Sequence, residues 1–266
     1  DRRMVQQRIA ALKRELVDVR SRRAVMRHQR SASTTPNGSI VGYTNAGKSS
    51  LLQALTGADL DVANKLFATL DPATRRLELE GGQEVLLTDT VGFIRRLPHG
   101  LVEAFKSTLE ETVVSSFLVH VLDASDGAIH RHAAVTLEVL SELGSGEKPT
   151  IRVLSKSDLV DSGSLEMLRM EFPDAICVSA RTGSGLDELG RRIREVITHD
   201  YNRISVRLPH DRYDLAALIH RTGHVVLEEY TGNEICIDAD VPERTLRKLS
   251  AFVTIKNGTL REPHSA

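Results

Sequence analysis

One eight-residue stretch has the types and spacing for phosphate chemistry: Gly42-Tyr43-Thr44-Asn45-Ala46-Gly47-Lys48-Ser49. It fits G-x-x-x-x-G-K-[ST], the loop that wraps a nucleotide's phosphates. Glycine at both ends admits backbone angles that other residues avoid. Consecutive N–H groups then turn inward and favour an anion. The spacing predicts Lys48 at the β- and γ-phosphates, the Ser49 hydroxyl on Mg²⁺, and Ser50 beside it at the helix start. The loop works only between a strand and a helix. Residues 39–41 are apolar enough for a buried strand, and Leu51, Leu52 and Leu55 give the next segment one apolar face.

Two further elements follow in the order a nucleoside-triphosphate switch requires. Asp89-Thr90-Val91-Gly92 comes 40 residues after Ser49 and closes an apolar run. Asp89 is expected to hold Mg²⁺ and the Gly92 N–H to meet the γ-phosphate. Between the two motifs, residues 57–75 have no clean period, and an irregular stretch of that length is usually functional. It contains Phe67-Ala68-Thr69. Phe67 is assigned to the nucleotide pocket, and Thr69 is the candidate to close on Mg²⁺ when the γ-phosphate is present. Lys48, Thr69 and Gly92 are thus the expected catalytic set, and Ser49, Thr69 and Asp89 the expected metal set.

The base is read further on. Ser155-Lys156-Ser157-Asp158 resembles Asn-Lys-x-Asp, in which the carboxylate accepts two hydrogen bonds from the guanine edge. Adenine lacks that donor pair, so a buried carboxylate discriminates against it. The Lys156 stem can cover the base face. Ser155 stands where Asn is usual, so one supporting contact should be shortened or lost. In Ser179-Ala180-Arg181 the Ala180 N–H is expected to face the guanine carbonyl. GTP with Mg²⁺ is therefore the expected ligand. The residue after Gly92 is Phe93, where many GTPases carry a water-orienting Gln. Phenylalanine cannot hold an attacking water. Slow unassisted hydrolysis, completed by a partner, is the expectation.

These residues need a scaffold. Strand-like runs near 76–80, 84–87, 117–122, 150–154 and 175–178 alternate with helical segments near 128–143, 164–171 and 185–198. Alternation of this kind predicts a doubly wound, mostly parallel α/β sheet with the loop at a strand's carboxyl end. The expected nucleotide domain is 39–199. Residues 200–266 read as a small β-α-β-β-α domain with no chemistry in it, the last helix running over 244–252. Residues 1–38 read as a helix and linker. Val5, Ile9, Leu12, Leu16, Val19 and Met26 form a coiled-coil-type stripe that needs a helical partner, either on another molecule or, the favoured expectation, an upstream arm of a helical hairpin. Ten Arg/Lys against three acids give residues 1–30 a local charge of +7 on a chain of net −1. Such clustering without aromatics suits the backbone of structured RNA.

Composition is that of an ordinary globular protein, 41 % hydrophobic and 27 % charged. No apolar run spans a membrane and no leader opens the chain, so a cytoplasmic monomer is expected. Cys177 and Cys236 sit in apolar runs as expected buried free thiols. His120 reads as a satisfied core histidine. His130 and His132, two apart on a helix, do not share a face for zinc. The competing reading is a nucleotide-gated RNA-binding module in which hydrolysis is a slow reset.

Three stretches together resemble the HflX family of ribosome-associated P-loop GTPases: residues 42–57 (GYTNAGKSSLLQALTG), 65–75 (KLFATLDPATR) and 88–111 (TDTVGFIRRLPHGLVEAFKSTLEE). The last carries the hydrophobic residue in place of Gln. The basic helix is similar to the second arm of that family's hairpin. The resemblance implies a GTP-switched factor on the large ribosomal subunit and its rRNA, linked to splitting or rescuing ribosomes under stress.

Overall fold

The computed structural model describes residues 35–57, 73–93, 111–232 and 234–257. The basic helix, Phe67 and Thr69 lie outside the described residues.

Two sheets account for the fold. The first has six strands in the order β2-β3-β1-β4-β5-β6, with β1 Asn37–Gly42, β2 Ala73–Glu78, β3 Glu84–Asp89, β4 Phe117–Asp123, β5 Thr150–Ser155 and β6 Ile176–Cys177. All neighbours are parallel except the edge strand β2. The central strands are near-continuous apolar runs because both faces are covered. Successive residues divide between two cores. Ile40, Val119, Val121 and Val153 pack with Leu51 and Leu52 of α1 (Lys48–Thr56) and with Leu189 and Ile193 of α4 (Leu186–Thr198). On the other face, Val41 and Leu118 meet Leu140 of α2 (Ile129–Glu142), while Leu122 and Leu154 lie with Leu168 of α3 (Ser162–Glu171). The chain leaves β1 toward β3 and later enters β4 on its other side. That reversal places a crevice at the carboxyl end of β1, where sheets of this kind bind ligands.

The second sheet is antiparallel, ordered β10-β7-β9-β8, with β7 Asn202–Pro209, β8 His224–Thr231, β9 Glu234–Val241 and β10 Val253–Asn257. Helices α5 (Tyr213–Thr222) and α6 (Glu243–Leu249) cover one face through Leu215, Ile219, Leu246 and Leu249. The expected final helix over 244–252 is corrected: it stops at Leu249 and β10 follows. Phe252, read from sequence as helical, packs against the sheet core instead. The unit is therefore a split β-α-β-β-α-β.

A buried polar knot joins the two sheets. Gln83, after the β2–β3 turn, is 1 % exposed and donates through Nε2 to the Tyr201 hydroxyl (3.1 Å) and the Thr222 carbonyl (3.4 Å). Tyr201 donates to the same carbonyl at 3.0 Å. Burial pushes the phenol above its ordinary range.

Two expectations change, and the one for the His130/His132 pair holds. Cys177 and Cys236 are free but only half-buried. His120, central in β4, is buried, yet neither ring nitrogen has a hydrogen-bond partner among the described residues. His130 and His132 part company: the former pairs with Glu171 at 2.8 Å, the latter with Asp126 at 2.6 Å.

Candidate nucleotide site

The loop after β1 is built by its neighbours before it meets any ligand. Its first residue, Gly42, has φ 152° and lies so close to the Val121 carbonyl that no side chain fits. Gly47 has φ 89° and opens α1 with no side-chain cap and no acid in the first turn. The first N–H groups of α1 are thus left for an external anion, which the helix dipole favours. Ala46, 2 % exposed, plugs the loop into the core beneath.

Lys48 projects into this cradle. It is 7 % exposed and donates to the Tyr43 carbonyl at 3.0 Å. Burial lowers its pKa to about 8, with Asp89 pulling the other way. A buried ammonium without a full counter-charge suits a phosphate ligand. Next to it, the Ser49 hydroxyl donates to Asp89 Oδ2 at 2.5 Å. Two hard oxygens from different elements at one point suit Mg²⁺. Gly92 closes the cradle, and a Cβ there would sit 2.7 Å from Thr44 Cα and 3.0 Å from Lys48 Nζ. Residues and group therefore fit. When bound, the metal would neutralise phosphate charge; Ser49 and Asp89 are the residues present to hold it.

The residue in the Gln position points away from this chemistry. Phe93 is 1 % exposed, its ring packed with Val41, Val91, Leu118 and Leu140. Its backbone pairs with the loop, Phe93 N–H to the Gly42 carbonyl and Thr44 N–H to the Phe93 carbonyl, each 3.0 Å. The segment is stitched to the loop, with the Phe93 ring held in the core.

On the far side, the residues expected to read the base follow β5 and β6. Lys156 takes φ 56° and Asn45 φ 63°, the two positive-φ non-glycine residues among those described. Strain of this sort concentrates at functional sites. The two are linked: Lys156 Nζ donates to the Asn45 carbonyl at 2.8 Å and to Asp123 Oδ2 at 2.6 Å. Ser155 keeps more than its substitution suggested. Its Oγ lies 2.7 Å from the Ala46 carbonyl and 3.0 Å from the Leu122 carbonyl. One hydroxyl has one proton, so it serves these two acceptors alternately, where an Asn amide offers two N–H donors. Ser155→Ala should cost about 1–2 kcal/mol, because both buried carbonyls lose their side-chain donor. Urea unfolding checks this, and an unchanged midpoint would refute it. Asp158 accepts from Ser179 Oγ at 2.6 Å and from Arg181 at 2.8 Å. The Ser179 hydroxyl first, then its own backbone N–H and Arg181, hold its carboxyl below the usual range. Ala180 lies between them, on the turn after β6.

Sequence reading missed Asp123 and the brace under the loop. Asp123 ends β4, a position at which a polar residue after an apolar strand was the available signal. The Tyr43 ring stacks on His132 (centroids 3.7 Å, planes 7° apart). His132 meets Asp126, whose other oxygen accepts the Ala128 N–H at 2.9 Å at the start of α2. Nothing in sequence joins residues so far apart.

The chain is similar to known proteins in sequence and in fold. The family described as 50S ribosome-binding GTPase matches residues 37–156. A protein named GTPase HflX from Akkermansia muciniphila is 46 % identical over 258 residues, covering 95 % of this chain and 59 % of that protein. The chain thus spans about six tenths of the length of such curated relatives. Among solved structures, the SsGBP and GDP complex aligns with a TM-score of 0.50 at 29 % identity, over 61 % of this chain and 50 % of that one. Era in complex with MgGDPNP and 16S ribosomal RNA nucleotides aligns at 0.50 and 24 % identity, covering 61 % and 56 %, which speaks for the fold alone. Among the described residues no helix is long and apolar enough to cross a membrane. Phosphate loop, Asp89–Gly92 closure, buried Phe93 and relatives 40–46 % identical over some 95 % of its length agree: the chain belongs to the HflX family of P-loop GTPases.

Proposed function

We propose that this chain binds GTP with Mg²⁺, hydrolyses it slowly to GDP and phosphate, and uses the bound state to engage the large ribosomal subunit. The observation that carries the reading is the convergence of buried Lys48 and Asp89 with half-buried Ser49 at the start of one uncapped helix. Lys48 and the loop N–H groups would hold the phosphates, Ser49 and Asp89 the metal, and Thr69 would close over it. Asp158, Lys156, Ser179 and Ala180 would read guanine. Charge developing on the transferred phosphoryl would be stabilised by Lys48 and the loop N–H groups, and a metal held by Ser49 and Asp89 would supply further neutralisation. Phe93, locked into the core, leaves water unpositioned, so the subunit would complete the site. The +7 segment over residues 1–30 would meet rRNA by its phosphates. Splitting or rescue of stressed ribosomes is the task this family resemblance favours.

The test is GTP turnover with and without purified large subunits, ATP serving as control. Slow turnover alone and a rise of about tenfold or more with subunits is expected, in line with partner-supplied catalysis in switch GTPases. Turnover that is already fast without subunits refutes the incomplete-site reading. Equal use of ATP refutes guanine recognition.

A further inference from the structure

We propose that Arg181 is a specificity-determining residue that competes with the base for Asp158. The inference rests on the guanine reading above and adds a residue whose removal should strengthen binding. Asp158 divides its acceptors unequally. Oδ1 takes one hydrogen bond, from Ser179 Oγ at 2.6 Å. Oδ2 takes one from Arg181 Nε at 2.8 Å, and a terminal nitrogen of the same guanidinium crowds it as an ion-pair partner, also at 2.8 Å. A carboxylate oxygen has about two lone-pair sites. Guanine presents two parallel donors, the ring N1–H and the exocyclic amine, and seats one on each oxygen. Oδ1 has room for it beside Ser179. Oδ2 does not, until Arg181 leaves.

Exposure shows which partner yields. The Asp158 side chain is 12 % exposed and that of Arg181 is 73 % exposed. The guanidinium can swing into water and lose little, since an exposed ion pair is weak. The carboxylate cannot follow it and must be met by another donor pair. Guanine brings one. Adenine brings none at this edge, and hypoxanthine brings only the ring N–H. For those bases Arg181 remains the better partner, so it rejects them as well as screening the carboxylate. Ser179 differs in kind: it orients the carboxylate and is compatible with the base.

The experiment uses the full 266-residue chain and Arg181→Met, which keeps an apolar stem of similar length but cannot hold Asp158. Association and dissociation rates are measured by stopped flow with fluorescent GDP and IDP, at about 0.05 M and about 1 M salt, which bracket strong and weak screening. The variant should associate about two- to fivefold faster, the range an exposed ion pair allows. Its dissociation rate should not change, IDP should gain more than GDP, and the two proteins should converge at high salt. Faster dissociation with unchanged association would overturn the proposal, placing Arg181 on the bound base as a holder. Identical rates at both salt concentrations would overturn it too. A wild-type chain that binds neither nucleotide sinks the guanine reading itself, a result distinct from either.

Discussion

Lys48→Met should abolish turnover and, before nucleotide binds, make the protein more stable. Both effects follow from one buried charge. Lys48 is held among loop carbonyls and core side chains, and burial lowers its pKa from 10.5 to about 8. A base whose folded pKa lies below its unfolded value costs stability as pH falls through that window. Below about pH 8 the cost is complete, on the order of 3 kcal/mol for a shift of this size. Methionine keeps most of the stem and drops the charge. Losing the bond to the Tyr43 carbonyl takes back roughly 1 kcal/mol, so a net gain of about 1–2 kcal/mol is expected. Removal of one preorganised donor typically slows such chemistry by about 10²–10³-fold. Urea midpoints and GTP turnover on the same preparation check both signs. A destabilised variant would mean that the ammonium is well compensated inside the protein. Residual turnover within tenfold of wild type would remove Lys48 from the chemistry.

Acid should weaken the fold through His120, between pH 6.5 and pH 4. The imidazole lies in β4, with Val41 of β1 and Arg152 of β5 as its register neighbours. Burial lowers its pKa to about 4, and the Arg152 charge adds to the effect. The unfolded chain binds a proton at this residue near pH 6.5 and the folded chain does not. Stability is therefore full above 6.5, declines as pH falls, and is lower by about 3 kcal/mol near pH 4. His120→Leu should flatten that part of the curve, since no described group hydrogen-bonds either ring nitrogen. At pH 7 the substitution should be neutral or mildly stabilising, as removing an unsatisfied buried polar group often is. Midpoints measured from pH 4 to 7.5 decide it. Parallel curves for the two proteins would assign the acid loss to carboxylates instead.

What could be read from sequence depended on whether the physics was local. The loop was legible because its chemistry is backbone chemistry at fixed offsets, and the strands β1, β4 and β5 because burial on both faces leaves few polar interruptions between their ends, Ser39, His120 and Arg152. The final strand was not. Val253 to Asn257 is short, follows α6 almost at once, and presents Phe252 as one more apolar residue at helical spacing. Tertiary pairing with β7 decides it. The same holds for Ser155. Its departure from Asn suggested a lost contact, and the nearby Ala46 and Leu122 carbonyls supplied two acceptors for the shorter side chain. The Tyr43–His132 stack lay beyond any pattern, because its partners come from the two sides of the first sheet's chain reversal.

Gln83 bears on how the protein can be dissected. A cut near residue 200 looks natural in sequence, between an α/β unit and a smaller one. In the folded chain it would remove Tyr201 and Thr222 and leave the Gln83 amide facing water beside Leu79, which is 5 % exposed where it stands. The severed surface lies on the turn of the β2–β3 hairpin, whose opposite end carries Asp89. An isolated nucleotide domain made at that boundary is therefore altered on the element that leads back to the site, and rates measured on it describe a different protein.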